Sequence, residues 1–166
     1  MAAQLLLLLF PLLMIYAAAM DLLTMRIANW ISVTLVVSFV LVAVLAGAPL
    51  QSIAIHLGVG IAALAATMVL FQLRLLGGGD AKLLAAAAVW IGYQQLIPFA
   101  IWVTLFGGAL AVAMLAYRSV PAGAFPLPDW ALRLHKPGGG IPYGLAISAG
   151  ALIVYPATTI PVLLAL

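Results

Sequence analysis

Two aspartates, Asp21 and Asp80, are the residues of this 166-residue chain whose surroundings point to chemistry. Each lies in a short polar stretch between long apolar runs, and a charged carboxylate inside a membrane costs about 2.5–3.5 kcal/mol on insertion scales. Two carboxyl groups that share a site do not both ionise cheaply, so one of them holds a proton at neutral pH. Such a pair can hydrolyse an amide, because the ionised group takes a proton from water while the protonated group polarises the carbonyl.

The spacing of the residues leaves other roles for the two aspartates open. Asp21 could pair with Arg26, and Asp80 could cap the helix that follows it while contacting Lys82 or Arg74. Both carboxyl groups could instead relay protons or cations through a small membrane transporter. A subunit of a secretion apparatus without catalytic activity is a third alternative.

The composition excludes a water-soluble protein. Hydrophobic residues make up 68% of the chain and charged residues only 5%, against roughly 25% charged residues in ordinary soluble domains. The chain has no cysteine and only two histidines, far apart in sequence, so we expect no disulfide, no metal site and no thiol chemistry. The net charge of +3 comes from a few basic residues at the ends of apolar runs, which indicates membrane orientation rather than a nucleic-acid partner.

These runs predict an all-α integral membrane protein, a bundle of about six transmembrane helices that forms one domain over residues 1–166. The apolar run over residues 83–117 would form a helix of about 50 Å, too long for a hydrocarbon core of about 30 Å. We therefore divide it at residues 92–95. Residues 118–140 predict an irregular interfacial loop, and Pro156 and Pro161 should kink or end the last helix. The predicted crossings cover residues 4–20, 30–46, 52–73, 81–91, 96–117 and 141–166.

The predicted topology brings the two aspartates to the same face of the membrane. Asp21 and Asp80 are separated by two crossings, so they emerge on one side. That side also carries all the basic residues and is cytoplasmic by the positive-inside rule. These residues are Arg26, Arg74, Lys82, Arg118, Arg133 and Lys136.

Three sequence blocks carry a resemblance to a known family. Residues 77–82 read GGGDAK and resemble the Gly-x-Gly-Asp signature, with its following Lys, of the intramembrane aspartic peptidases, which include type IV prepilin peptidases, preflagellin peptidases and presenilin. Residues 21–30, DLLTMRIANW, are similar to the block after the first helix of prepilin peptidases, although Ala28 stands where the family has proline. Residues 141–147, IPYGLAI, resemble the block that opens their last helix. The order and spacing are most similar to the short peptidases of Flp-type (tight adherence) pilus systems.

The resemblance implies a membrane aspartic endopeptidase that cleaves the leader of Flp-type prepilins or pseudopilins without a metal or cofactor. It implies the bacterial inner membrane, with Asp21 and Asp80 as the catalytic pair at the cytoplasmic face, and leaves the oligomeric state open. Since there is no cysteine, we expect no separate methyltransferase domain of the kind that bifunctional prepilin peptidases carry. Supporting or substrate-binding roles are expected at Gly77, Gly79, Lys82, Asn29, Arg26, Pro142 and Tyr143.

Overall fold

The computed structural model describes residues 6–120, 128–135 and 139–158. These residues form an all-helical bundle, as the apolar runs predict. A 3₁₀ turn over Tyr155–Ala157 follows the last helix. In chain order the helices are α1 (Leu9–Thr24), α2 (Asn29–Leu45), α3 (Leu50–Gln72), α4 (Gly78–Ser119), α5 (Asp129–His135) and α6 (Tyr143–Val154).

Helix α4 is the centre of the bundle. It packs extensively against α3 and α6 and also contacts α2, while α1 packs on α6. The core is built around Trp90 of α4, whose ring centroid lies 5.2 Å from that of Phe10 and 5.7 Å from that of Phe39. The indole N–H of Trp90 donates to the carbonyl of Leu35 at 2.7 Å, so this buried polar group is satisfied.

A kink at Gly92 divides α4 into two parts. Gly92 has φ 71° and ψ 173°, which interrupts the helical geometry and which a residue without a side chain adopts at little cost. His56 of α3 packs into the kink, and its Nδ1 lies 2.7 Å from the carbonyl oxygen of Val89. The break that the sequence predicts over residues 92–95 is thus confined to Gly92, since the helix continues immediately after it.

Helices α3 and α4 are long enough and apolar enough to cross a membrane, and α1, α2 and α6 are shorter apolar helices. Large apolar side chains stay exposed along the flanks of the bundle, among them Val37, Ile61, Leu105 and Leu115. Exposed apolar surface on this scale suits contact with lipid rather than with water. The count of six crossings stays a prediction.

The structure corrects two helix boundaries near the aspartates. Helix α1 continues through Thr24, so Asp21 lies in its last turn rather than in the loop after it. The helix ends because Met25 takes a left-handed conformation, with its N–H donating to the carbonyl of Asp21 at 2.7 Å. Helix α4 begins at Gly78, three residues before the predicted start, so the glycines open a helix instead of breaking one.

The predicted irregular loop over residues 118–140 is also corrected, because it contains α5. The carbonyl of Pro128 accepts hydrogen bonds from the N–H groups of Ala131 and Leu132. Asp129 lies in the first turn and Arg133 in the last, which matches the polarity of the helix dipole. Of the other residues singled out in the sequence, Pro156 lies in the 3₁₀ turn that ends α6, and Lys136 and Pro161 lie outside the described residues.

Candidate active site

Asp21 is a buried carboxyl group at the junction of α1 and α6. Its side chain is 5% exposed, and its Oδ2 accepts a hydrogen bond of 2.7 Å from the backbone N–H of Gly144. A Cβ atom on residue 144 would lie 2.8 Å from that oxygen and 2.8 Å from Cδ1 of Ile27. The close approach of α6 to Asp21 therefore requires glycine at this position.

Asp80 is partly buried in the first turn of α4. Gly77 is the N-cap residue of this helix, and the Asp80 carboxyl group lies beside it. A carboxyl group that reaches back to the N-cap N–H satisfies a donor that the helix leaves free. A Cβ atom on residue 77 would lie 2.6 Å from Oδ2 of Asp80, so glycine at 77 leaves the room that this carboxyl group occupies.

Both aspartates line one cleft of about 700 Å³. The cleft lies between the end of α1, the chain that leads into α2 and the glycine run at the start of α4. The side chains of Asp21 and Asp80 are close enough for their charges to interact. Four of the other residues singled out in the sequence line the same cleft, namely Arg26, Asn29, Gly77 and Gly79.

Lys82 does not line this cleft but joins α4 to α2. Its ammonium group donates to Oδ1 of Asn29 at 2.8 Å, although the two residues are 53 positions apart. It lies at the end of a neighbouring apolar groove between α2, α3 and α4. The contact holds the starts of α2 and α4 together beside the two aspartates.

Pro142 and Tyr143 open α6 at the same end of the bundle. Pro142 is the buried N-cap residue of α6, and Tyr143 is its first residue. The half-buried ring of Tyr143 packs against Gly107 of α4 and lies within electrostatic range of Asp80. Neither residue lines the cleft that holds the aspartates. Both therefore lie outside the surface that a molecule in the cleft would contact.

Two contact residues of the site were not singled out in the sequence. Gly144 donates its backbone N–H to Asp21, and Ile27 fills the space beside Gly79, where a Cβ atom would lie 3.2 Å from that of Ile27. The signal for Gly144 was a glycine directly after Pro142 and Tyr143, at the start of a predicted helix. Ile27 lies within the block of residues 21–30 that carries the family resemblance, but an aliphatic residue in an apolar chain gave no indication of a contact role.

The arrangement suits general acid and base catalysis on a peptide bond. Two carboxyl groups share one cleft, and Asp21 has Gly144 as its hydrogen-bond donor, which orients it before any substrate binds. Within the described residues, no group of three or more His, Cys, Asp or Glu side chains is placed to hold a metal ion. Water held between an ionised and a protonated carboxyl group is an effective nucleophile.

Comparison with known proteins found one match. The model of the type IV leader peptidase family (Peptidase_A24) matches residues 8–112. Among curated proteins and solved structures, no match to the chain was found. The matched stretch contains Asp21, the glycine run and Asp80, and it ends before the block that begins at Ile141.

Proposed function

Because the chain belongs to the type IV leader peptidase family, we propose that it is an aspartic endopeptidase that removes the leader peptide of Flp-type prepilins. The family match confirms the resemblance to prepilin peptidases and makes a prepilin the substrate class. The observation that carries the proposal is that Asp21 and Asp80, from different helices, line one cleft. The lack of cysteine supports a peptidase without a methyltransferase activity.

The proposed reaction uses the two carboxyl groups in opposite protonation states. The ionised carboxylate takes a proton from a water molecule, whose oxygen attacks the scissile carbonyl carbon. The protonated carboxyl group donates to the carbonyl oxygen, which becomes the hydroxyl of the tetrahedral intermediate. When the C–N bond breaks, the amine nitrogen takes the proton that the first carboxylate removed from water. A hydroxyl group of the intermediate returns its proton to the other carboxylate, so the two carboxyl groups again hold one proton between them. The pair works as a unit, so we assign neither role to one residue.

The glycine run has a proposed role in admitting the substrate. A helical peptide bond is protected by its own hydrogen bonds, so the substrate backbone must be extended where it is cleaved. Gly77 and Gly79 line the cleft without side chains, which leaves space for extended backbone beside Asp80. Their N–H groups are also candidates for donors to the developing oxyanion.

The proposed location of the site is the cytoplasmic face of the bacterial inner membrane. Arg26 and Lys82 lie at the same end of the bundle as the aspartates, which supports a cytoplasmic position under the positive-inside rule. A prepilin carries a short basic leader followed by an apolar helix, so it can lie in the bilayer with its scissile bond at the cleft.

The test is cleavage of a co-expressed Flp-type prepilin, followed by immunoblot and by mass spectrometry of the product. We expect the wild-type protein to shorten the prepilin, and Asp21→Asn or Asp80→Asn to lower the rate by about 100- to 10,000-fold. Asp129→Asn is the matched control, because this third aspartate lies in α5 and does not line the cleft. All four proteins are compared at equal membrane abundance.

Two outcomes would contradict the proposal. Full activity of either the Asp21 or the Asp80 variant would exclude the two-aspartate mechanism. No cleavage by the wild-type protein, of a prepilin that its own cognate peptidase processes, would exclude this substrate and favour the transport or assembly alternatives.

A further inference from the structure

The chain between α1 and α2 is a segment of four residues, 25–28, hereafter the connecting segment. All four residues line the cleft that holds Asp21 and Asp80. The segment is fixed to α1 at its start, where the N–H of Met25 donates to the carbonyl of Asp21 at 2.7 Å. A left-handed residue with this hydrogen bond ends a helix sharply, so the path of the segment is set directly after the turn that carries Asp21.

The connecting segment is fixed to α4 at its other end. Asn29, the residue that follows it, accepts a hydrogen bond of 2.8 Å from Nζ of Lys82. Lys82 lies two positions after Asp80 in the sequence. Ala28 is extended, with φ −70° and ψ 136°, so the chain passes directly into α2. The segment therefore links the end of the helix that carries Asp21 to the start of the helix that carries Asp80.

Ile27 lies in this segment, against a glycine at the start of each of two helices. On the α4 side it faces Gly79, the residue before Asp80, where a Cβ atom would lie 3.2 Å from Cβ of Ile27 and 3.5 Å from its carbonyl oxygen. On the α6 side it faces Gly144, where a Cβ atom would lie 2.8 Å from Cδ1 of Ile27. Both approaches are possible because glycine has no side chain. Ile27 therefore occupies the space between the starts of α4 and α6.

The contact with Gly144 connects Ile27 to the second carboxyl group. The N–H of Gly144 donates to Oδ2 of Asp21 at 2.7 Å, and a Cβ atom on residue 144 would lie 2.8 Å from this oxygen as well as from Cδ1 of Ile27. The carboxyl group and the isoleucine thus pack on the same glycine. Isoleucine is branched at Cβ and has few side-chain conformations, so it holds a defined position beside both aspartates.

We propose that Ile27 is a positioning residue, which sets the separation of the Asp21 and Asp80 carboxyl groups by packing between Gly79 and Gly144. The inference rests on the proposed leader peptidase function. Two carboxyl groups act together on one water molecule only when both lie within hydrogen-bond reach of it. Helices α1 and α4 pack mainly on other helices, so the separation of their aspartates depends on what lies between them.

The first experiment shortens the side chain. Ile27→Val removes Cδ1, the atom that faces Gly144, and Ile27→Ala removes everything beyond Cβ. We expect kcat for prepilin cleavage to fall about tenfold and about 100-fold, with KM within about twofold of the wild type, because misplaced catalytic groups slow the chemical step. Ile27→Val carries the test if Ile27→Ala does not accumulate in the membrane.

Ile31→Val and Ile31→Ala are the matched controls. Ile31 lies four positions after Ile27, is fully buried and does not line the cleft. Loss of packing alone should therefore affect the Ile31 variants at least as strongly as the Ile27 variants. All variants are compared at equal membrane abundance, and their thermal unfolding is measured in detergent.

The second experiment measures the pH range of activity, which loss of packing alone does not move. Two interacting carboxyl groups hold one proton between them over a pH range whose width depends on their separation. The width of the profile of kcat against pH should therefore change in Ile27→Ala and stay at the wild-type value in Ile31→Ala. The neighbouring titratable side chains of Arg26, Lys82 and Tyr143 are present in every variant.

The outcomes separate this inference from the proposed function. A loss of kcat with an altered pH range, confined to the Ile27 variants, supports Ile27 as a positioning residue. A rise in KM alone, an unchanged pH range, or equal losses in the Ile31 variants overturns the inference while the peptidase function stands. Failure of the wild type to cleave any prepilin overturns the peptidase function, and the inference that rests on it.

Discussion

The two parts of α4 differ sharply, although they belong to one apolar helix. Before the kink, residues 81, 83 and 85–91 are buried, whereas after it only a narrow stripe is buried, consisting of Phe99, Val103, Gly107 and Met114. The first part contains mostly alanine between residues 81 and 88. Large residues such as Leu105, Val112 and Leu115 remain exposed in the second part. Large side chains such as Trp90 are buried in the first part while Ala113 is exposed in the second, so the number of packed faces separates the two environments.

The difference teaches how an apolar chain positions a polar site. Small residues let α3 approach the first part of α4 closely, as at Gly60 beside Ala85 and Val89, and Trp90 of this part donates to the carbonyl of Leu35 in α2. The second part needs only one packed face because the rest of its surface is apolar and suited to lipid. We therefore expect substitutions at the start of α4 and in its first part to affect function and stability more than substitutions in its second part.

Gly77→Ala should have the largest effect, because it changes the contact that places Asp80. The added Cβ would lie 2.6 Å from Oδ2 of Asp80, so the carboxyl group must move. A displacement of this size can cost about 100-fold in rate, with membrane abundance unchanged, measured as initial rates of prepilin cleavage. Gly58→Ala is the control, since a Cβ there has no neighbour within 4 Å. Equal rates for both variants would show that the Asp80 contact is not needed.

Ala87→Leu should destabilise the protein by about 2 kcal/mol through overpacking in the first part of α4. Ala87 is fully buried, whereas Ala113 in the second part is exposed, so Ala113→Leu should be neutral. The measurement is the fraction of protein that stays monodisperse in detergent after heating. Similar losses of monodisperse protein for both variants would contradict the difference in packing between the two parts of α4.

Gly107→Ala and Gly108→Ala should change stability in opposite directions, each by about 1 kcal/mol. A Cβ on residue 107 would overlap the ring of Tyr143, while one on residue 108 has no neighbour within 4 Å. The second substitution gains helix propensity without a clash. Thermal unfolding in detergent compares the stabilities of the two variants. A change of the same sign in both would contradict the interpretation that only one face of the second part is packed.

Ala28→Pro should have the smallest effect, a stabilisation of about 0.5 kcal/mol with wild-type cleavage. Ala28 is the N-cap residue of α2, with φ −70° and ψ 136°, which proline adopts readily. The prepilin cleavage assay and thermal unfolding are sufficient to check this. Loss of activity would mean that residues 21–30 are aligned wrongly with the family block.

Much of the fold followed from the sequence because hydrophobic length constrains membrane helices. The run over residues 83–117 was too long for one crossing, and the break predicted at residues 92–95 is seen at Gly92. The partner of that break was not predictable, since His56 reaches Val89 across 33 positions and no local pattern connects them. Helix α5 was missed because the prolines around it favoured an irregular loop.

The candidate site was predictable in its residue types but not in its contacts. Carboxyl groups are rare in so apolar a chain, so Asp21 and Asp80 stood out at once. The hydrogen bond from Gly144 to Asp21 depends on how α6 packs against α1 and α4, which is a tertiary property. Lys82 illustrates the same limit, because its partner Asn29 lies on another helix, whereas the nearest acidic residue in sequence is Asp80.

The hydrogen bond from Gly144 to Asp21 also has a consequence for biosynthesis. It joins residues 123 positions apart, and ribosomes add about 5–20 residues per second. Asp21 is therefore synthesised about 6–25 s before the backbone N–H group that orients it. During that interval the Asp21 carboxyl group lacks this donor, so the proposed catalytic centre is complete only after α6 has been made and has packed against α1.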